Sequence, residues 1–352
     1  MTVIYAAVPC FYAAVERAAA PDLAGRPVIV GGDPRKRGLV QSASCEALEA
    51  GVEVGMPVLE ALERCPRARA LRTNMRRYRE ASQRLRAIFR RQFERVEPAG
   101  LEAAYIGLAG GEGEPETQAQ LLCEQTRSEL GLPLRIGIAR VRFVAKIASE
   151  VGEKPGWQRV APGREAAFLQ PLPVGSLPGV GPNTQMRLEA LGVRSIGDLL
   201  DIPSQQLEEA FGNRGREFVA LARGEGEVAV RGMRHPQSRS QESTLEQDQL
   251  DVGVLSDRLL ELARSLEAGL RVDGLVARRV GLKVRYGDLE TTSRRLTLRE
   301  PVARAAALHA VAVALLRRTQ AGARAVRLIG ISVSELTPAA PDESQLDLFS
   351  QR

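Results

Sequence analysis

Between residues 251 and 337 the hydrophobic residues change period more than once, and that pattern leaves few folds open. Leu255, Leu259, Leu262, Leu266 and Leu270 recur at the spacing of one helix face. Asp251 stands where an N-cap carboxylate would accept from the first free amides. Val280, Leu282, Val284 and Tyr286 then alternate with Gly281, Lys283 and Arg285, the period of a half-buried strand. A Gly287-Asp288 turn leads to a second strand with Leu296 and Leu298. A helix begins after Pro301, and a final strand runs from about Val326 to Leu336. With a short strand before Asp251 the order is β-α-β-β-α-β, a split βαβ sandwich of about 100 residues. Lys283, Arg285, Arg294 and Arg295 are expected mostly on the sheet face away from the core. A basic sheet face can cradle a nucleic-acid backbone; a merely solvated face has the same pattern.

The chain has 352 residues, enough for two to four domains, and its 44% hydrophobic content allows a sizeable core. Net charge is +6, and the pI is about 9.4. Residues 227–337 carry 18 basic and 13 acidic side chains, against 30 and 27 over residues 1–226. The anionic partner is therefore expected towards the C-terminal third. Only four of the 49 basic residues are lysines, a bias that suits phosphate binding and that GC-rich codon usage also produces. Cys10, Cys45, Cys65 and Cys123 lie far apart with no C-x-x-C, which suggests neither zinc nor a disulfide framework and fits a reducing cytoplasm. No Lys or Arg precedes the apolar N-terminus, and Glu16 and Arg17 interrupt it, so it does not read as a secretion signal. No run of 18 apolar residues exists, and no membrane partner is expected.

Elsewhere the chain reads as mixed α+β. Residues 2–8 form a short buried strand, followed by a helix from about Cys10. Residues 21–77 are punctuated by Gly and Pro, and a long basic helix is expected over 78–96. Strands near 96–108 and 134–139 flank a helix near 115–130. A compact helical region covers 166–225, and Leu177-Pro178-Gly179-Val180-Gly181 within it reads as a helix-hairpin-helix turn. Its glycines let backbone amides approach a phosphate without reading sequence. A basic linker with Arg231, Arg234, His235 and Arg239 follows. The last residues, 338–352, read as a flexible tail ending in Gln345-Leu346-Asp347-Leu348-Phe349.

Several segments together resemble the Y-family (translesion) DNA polymerases. They include Phe11-Tyr12-Ala13-Ala14-Val15-Glu16, Ser42 to Ala47, Gly51 to Pro57, Arg77-Tyr78-Arg79, Gly137-Ile138-Ala139, Lys154-Pro155-Gly156 and the Leu177-to-Gly181 turn. Lys283-Val284-Arg285-Tyr286 and Thr291 to Leu298 resemble the family's little finger. The resemblance implies a multidomain right hand. Palm would be 1–20 and 78–165, fingers 21–77, thumb with helix-hairpin-helix 166–226, basic linker 227–242 and little finger 243–337. Gln345 to Phe349 resembles the bacterial sliding-clamp pentapeptide, with Leu348 and Phe349 as apolar anchors.

The departures from the family fall on its chemistry. The family holds its metal ions on carboxylates at the positions of Ala7, Glu102 and Ala103, and grips the triphosphate with a Tyr and an Arg at the positions of Cys45 and Leu48. Lys154, at the family's triphosphate lysine, is kept, and Tyr12 occupies the sugar-discriminating position. One Glu cannot readily place two ions across an in-line displacement, and Leu48 removes a bidentate phosphate clamp. The combination resembles the catalytically degenerate ImuB-type members. That implies no metal or other cofactor, and a scaffold in translesion synthesis during the DNA-damage (SOS) response. Its partners would be primer-template DNA, the sliding clamp, a DnaE-type polymerase and an ImuA-type protein. DNA contacts are expected from Gly179, Val180, Gly181, Arg239, Lys283, Arg285, Arg294 and Arg295, in a cytoplasmic, nucleoid-associated protein. The alternative is a weakly active polymerase whose rearranged site, with Mg²⁺, recruits Glu16 or Glu97 beside Glu102.

Overall fold

A computed structural model describes residues 1–109, 113–151, 156–232 and 236–339. Two compact units divide the chain, Met1–Arg234 and His235–Arg352. Among the described residues no helix is long and apolar enough to cross a membrane.

The first unit is organised by strand β1 (Thr2–Ala7), whose residues 3–6 are buried, alternately, in cores on the two faces of its sheet. It lies at the centre of a five-stranded sheet with β5 (Arg95–Pro98), β6 (Ala103–Leu108), β7 (Arg135–Ala139) and β8 (Gly156–Arg159), in the order β5-β6-β1-β7-β8. β1 runs antiparallel to both neighbours, so Ala7 faces Ala103 on one side and Arg135 on the other. Ile4, Ala6 and Val8 pack against Tyr78, Leu85, Phe89 and Leu122 from the helices Met75–Gln92 and Pro115–Leu130. Val3 and Tyr5 point the opposite way, into a core shared with helix Arg142–Val151 and the helices of residues 165–222. That helix crosses β7 so closely that a Cβ on Gly137 would sit 1.8 Å from the Ala145 carbonyl oxygen. The long basic helix begins earlier than the sequence predicts, because Asn74 caps it by accepting from the Arg77 amide, and it stops at Gln92 where Phe93 turns extended.

Residues 28–72 add a small sheet of β2 (Val28–Gly31), β3 (Val40–Ala43) and β4 (Arg69–Arg72), in the order β3-β2-β4. Ile29, Val40, Ala47, Met56 and Val58 form its own core. At the end of the unit, residues 227–231 lie flat on the palm sheet. Val230 is buried against Gly107, and the Glu97 carboxylate accepts from the Arg231 amide at 2.8 Å.

The second unit has the predicted β-α-β-β-α-β order. β9 (Ser238–Gln249), β10 (Leu275–Tyr286), β11 (Thr291–Val302) and β12 (Val326–Pro338) form one antiparallel sheet in the order β11-β10-β12-β9. Helices Val252–Asp273 and Ala305–Leu316 cover one face, and the alternating Val280, Leu282, Val284 and Tyr286 point into that core. Asp251 caps the longer helix, accepting from the Gly253 and Val254 amides. One expectation fails. β9 is not short: its 12 residues include 238–242, read from sequence as linker. Pairing with β12 holds it in place, and Leu245 is its one fully buried side chain, so it has no hydrophobic alternation to read.

Candidate functional site

β1 ends in a cleft of about 370 Å³ lined by Val8, Cys10, Phe11, Tyr12, Gln41, Ser42, Ala43, Leu48, Val54 and Glu102. Cys10 makes the turn there in a left-handed conformation (φ 52°) before helix Phe11–Ala19. The β1–β6 ladder sets Ala7 directly opposite Ala103, with Glu102 next to it, so the three positions singled out in the sequence do come together. Glu102 is exposed and folds back over Gly100, where a Cβ would lie 2.8 Å from its carboxylate. The metal pair that the fold implies needs several oxygen ligands converging on one point. Methyl groups at 7 and 103 and a single carboxylate at 102 do not fit it. Among the described residues no cluster of three or more His, Cys, Asp or Glu side chains could hold a metal ion.

The two carboxylates named for recruitment are engaged elsewhere. Glu16 is buried, accepts from the Tyr78 hydroxyl at 2.8 Å and pairs with Arg77. Glu97 accepts both guanidinium nitrogens of Arg142, at 3.0 and 2.9 Å, besides the Arg231 amide. Arg142 also donates to the Ala229 carbonyl and lies 4.2 Å over the Tyr105 ring. Bringing either carboxylate to Glu102 would strand an arginine or a buried tyrosine hydroxyl.

The aromatic part of the cleft is kept in order. Tyr12 stacks on fully buried Tyr78, centroids 4.3 Å apart and planes 9° from parallel. Burial, and then the Glu102 charge, raise the Tyr12 hydroxyl above its ordinary pKa. Cys45 lies beside Cys10, and burial first, then Cys45, push the Cys10 thiol up to about 11. Leu48 lines the cleft with 40% of its surface exposed and offers a phosphate nothing. No Lys or Arg is among the lining residues named above. Lys154 lies outside the described residues, as do Gln345, Leu346, Asp347, Leu348 and Phe349.

Two other surfaces suit nucleic acid. In the hairpin before helix Pro182–Ala190, Gly179 (φ +81°) and Gly181 are exposed while Val180 is buried and anchors the turn. On the second unit the open sheet face has a floor of small residues: Gly281, Gly330, Ser332, Ser334, Ser238 and Ser240. Arg279, Lys283, Arg285 and Arg295 stand around it by register. Lys283 shares Glu242 at 3.0 Å, and Arg279 pairs with Glu335.

Register corrects two expected positions. Arg294 pairs across from Leu282, on the helix-covered side, and its Nε donates to the Arg318 carbonyl. Arg239 pairs across from buried Val333 and is ion-paired with Asp273 of the long helix. Both belong to the covered face because a strand's side is fixed by its ladder, not by its charge. Arg279 escaped the sequence reading, although it stands in phase with Lys283 and Arg285.

Three family models match the chain: the impB/mucB/samB family over residues 7–150, its C-terminal domain over 236–348, and the thumb domain of DNA polymerase-iota over 175–225. A DNA polymerase IV of Halorhodospira halophila is 39% identical over 351 residues, covering 99% of this chain and 98% of that one. Another, of Alkalilimnicola ehrlichii, is 38% identical and covers 99% of each. Among solved structures, a Y-family DNA polymerase chimera of Dbh and Dpo4 aligns with a TM-score of 0.86 at 25% identity, over 96% of this chain and 100% of that one. An insertion ternary complex of Dbh DNA polymerase aligns at 0.69 and 24% identity, over 96% and 100%, and shares the fold.

Proposed function

This chain belongs to the impB/mucB/samB family of Y-family DNA polymerases, and on that premise we propose that it binds primer-template DNA without itself carrying out nucleotidyl transfer. Its role is then that of an accessory to a separate polymerase in translesion synthesis after DNA damage, as in the ImuB-type members it resembles. The observation that carries this reading is the Ala7–Ala103 pair beside a single Glu102. Among the described residues the cleft keeps its aromatic frame and offers one carboxylate, where nucleotidyl transfer by two ions calls for several oxygen ligands.

A weak polymerase with a rearranged metal site is the second reading. The relatives favour it, since the two near-full-length relatives described above carry the name DNA polymerase IV. The donor set of the cleft favours the first. Primer extension in Mg²⁺ or Mn²⁺, with Glu102→Ala as control, separates them.

DNA binding by the open sheet face makes its own prediction. Lys283→Ala and Arg295→Ala each weaken binding to any duplex sequence and lower the slope of log K against log salt by about one. Fluorescence anisotropy across a salt series measures both. An unchanged slope in both variants removes that face from the interface.

The clamp partnership rests on Gln345 to Phe349. Deleting those five residues abolishes binding to a bacterial sliding clamp in surface plasmon resonance and leaves DNA affinity intact, because a short tethered anchor acts by effective concentration. Clamp binding that survives the deletion ends the clamp assignment.

A further inference from the structure

Arg214 ties the start of helix Asn213–Ala222 to the Gly179–Gly181 turn. It stands in the first turn of helix Asn213–Ala222, and the next residue, Gly215, packs so tightly that a Cβ there would lie 2.5 Å from the Leu207 carbonyl oxygen. The backbone carrying Arg214 is therefore fixed against the preceding helix, Ser204–Phe211. Its guanidinium sits 5.5 Å over the ring of buried Phe218 and donates from Nη2 to the Gly179 carbonyl at 2.7 Å. The other end of that same peptide, the Val180 amide, donates to the Leu177 carbonyl at 3.1 Å. A planar peptide held at both ends cannot rotate. The amides on either side, of Gly179 and Gly181, donate to no acceptor among the described residues.

We propose that Arg214 is a positioning residue for phosphate binding. It clamps the central peptide of the Gly179–Gly181 turn so that the two flanking amides meet one DNA phosphate in a fixed geometry. The assignment rests on the DNA-binding reading above and names a part of it that Gly179 and Gly181 do not reveal. Arg214 acts through the turn and does not itself neutralise a phosphate.

The test is primer-template affinity of the full chain across a salt series. Arg214→Ala is expected to bind about tenfold more weakly with the salt slope unchanged, since the phosphate keeps its ligands but loses their alignment. Arg214→Lys should restore part of that loss, and adding Gly179→Ala to Arg214→Ala should cost little more than either change alone. Arg214→Gln, which keeps a donor, serves if Arg214→Ala does not fold. A slope lower by about one makes Arg214 a direct phosphate ligand and overturns the proposal. Unchanged affinity overturns it too, while the DNA-binding reading stands. A wild-type chain with no salt-dependent DNA binding overturns both.

Discussion

A primer annealed to template is expected to stay at its starting length when this chain is added with all four deoxynucleotides and Mg²⁺ or Mn²⁺. The reason is local. β1 and β6 bring Ala7 and Ala103 face to face where carboxylates would have to stand, and among the described residues Glu102 is the one carboxylate lining the cleft. Removing one preorganised electrostatic contact from an active site typically costs about 10²–10³ in rate. Two absent metal ligands, with Leu48 in the cleft wall, place extension at least about 10⁴-fold below that of a chain with the full set. Glu16 and Glu97 do not repair this, because each already serves an arginine. The control decides the outcome. Template-dependent incorporation that disappears in Glu102→Ala would overturn the accessory reading and make this a polymerase with a rearranged site. Incorporation that persists in Glu102→Ala points to a contaminating polymerase.

Gly137→Ala should be the most damaging single methyl in the first unit. The added Cβ meets the Ala145 carbonyl oxygen at 1.8 Å and the Ser149 amide nitrogen at 2.6 Å. Both are backbone, so no rotamer change relieves the contact, and helix Arg142–Val151 has to lift from β7. Overpacking of this kind costs about 3 kcal/mol or more. In urea the first unit should unfold at a clearly lower midpoint while the transition of the second unit stays where it was. Gly232→Ala is the control, since a Cβ there meets nothing within 4 Å. A Gly137→Ala protein with the wild-type midpoint contradicts the close helix–strand contact.

Much of the second unit is legible from the sequence, because Leu255 to Leu270 and Val280 to Tyr286 each keep one period over a whole element and Asp251 marks a helix start. β9 is not legible. Its side chains are almost all polar, and what makes it a strand is the free edge of β12. Phase explains the misplaced arginines. Arg294 and Arg295 are adjacent, so only the ladder decides which of them faces the helices. In the first unit Ala7 and Ala103 stand out only through resemblance to a family, since alanine in a strand carries no signal of its own. The ring of contacts around Glu97 was invisible, because it joins residues 97, 142 and 231 across most of the unit.

That ring also changes what residues 227–231 are. The sequence assigns them to a basic linker, yet Val230 is buried against Gly107 and the Arg231 amide is held by the Glu97 carboxylate, so they are an outer layer of the first unit. Glu97, a residue with the look of a spare catalytic carboxylate, is thus the fastener of that unit's last segment.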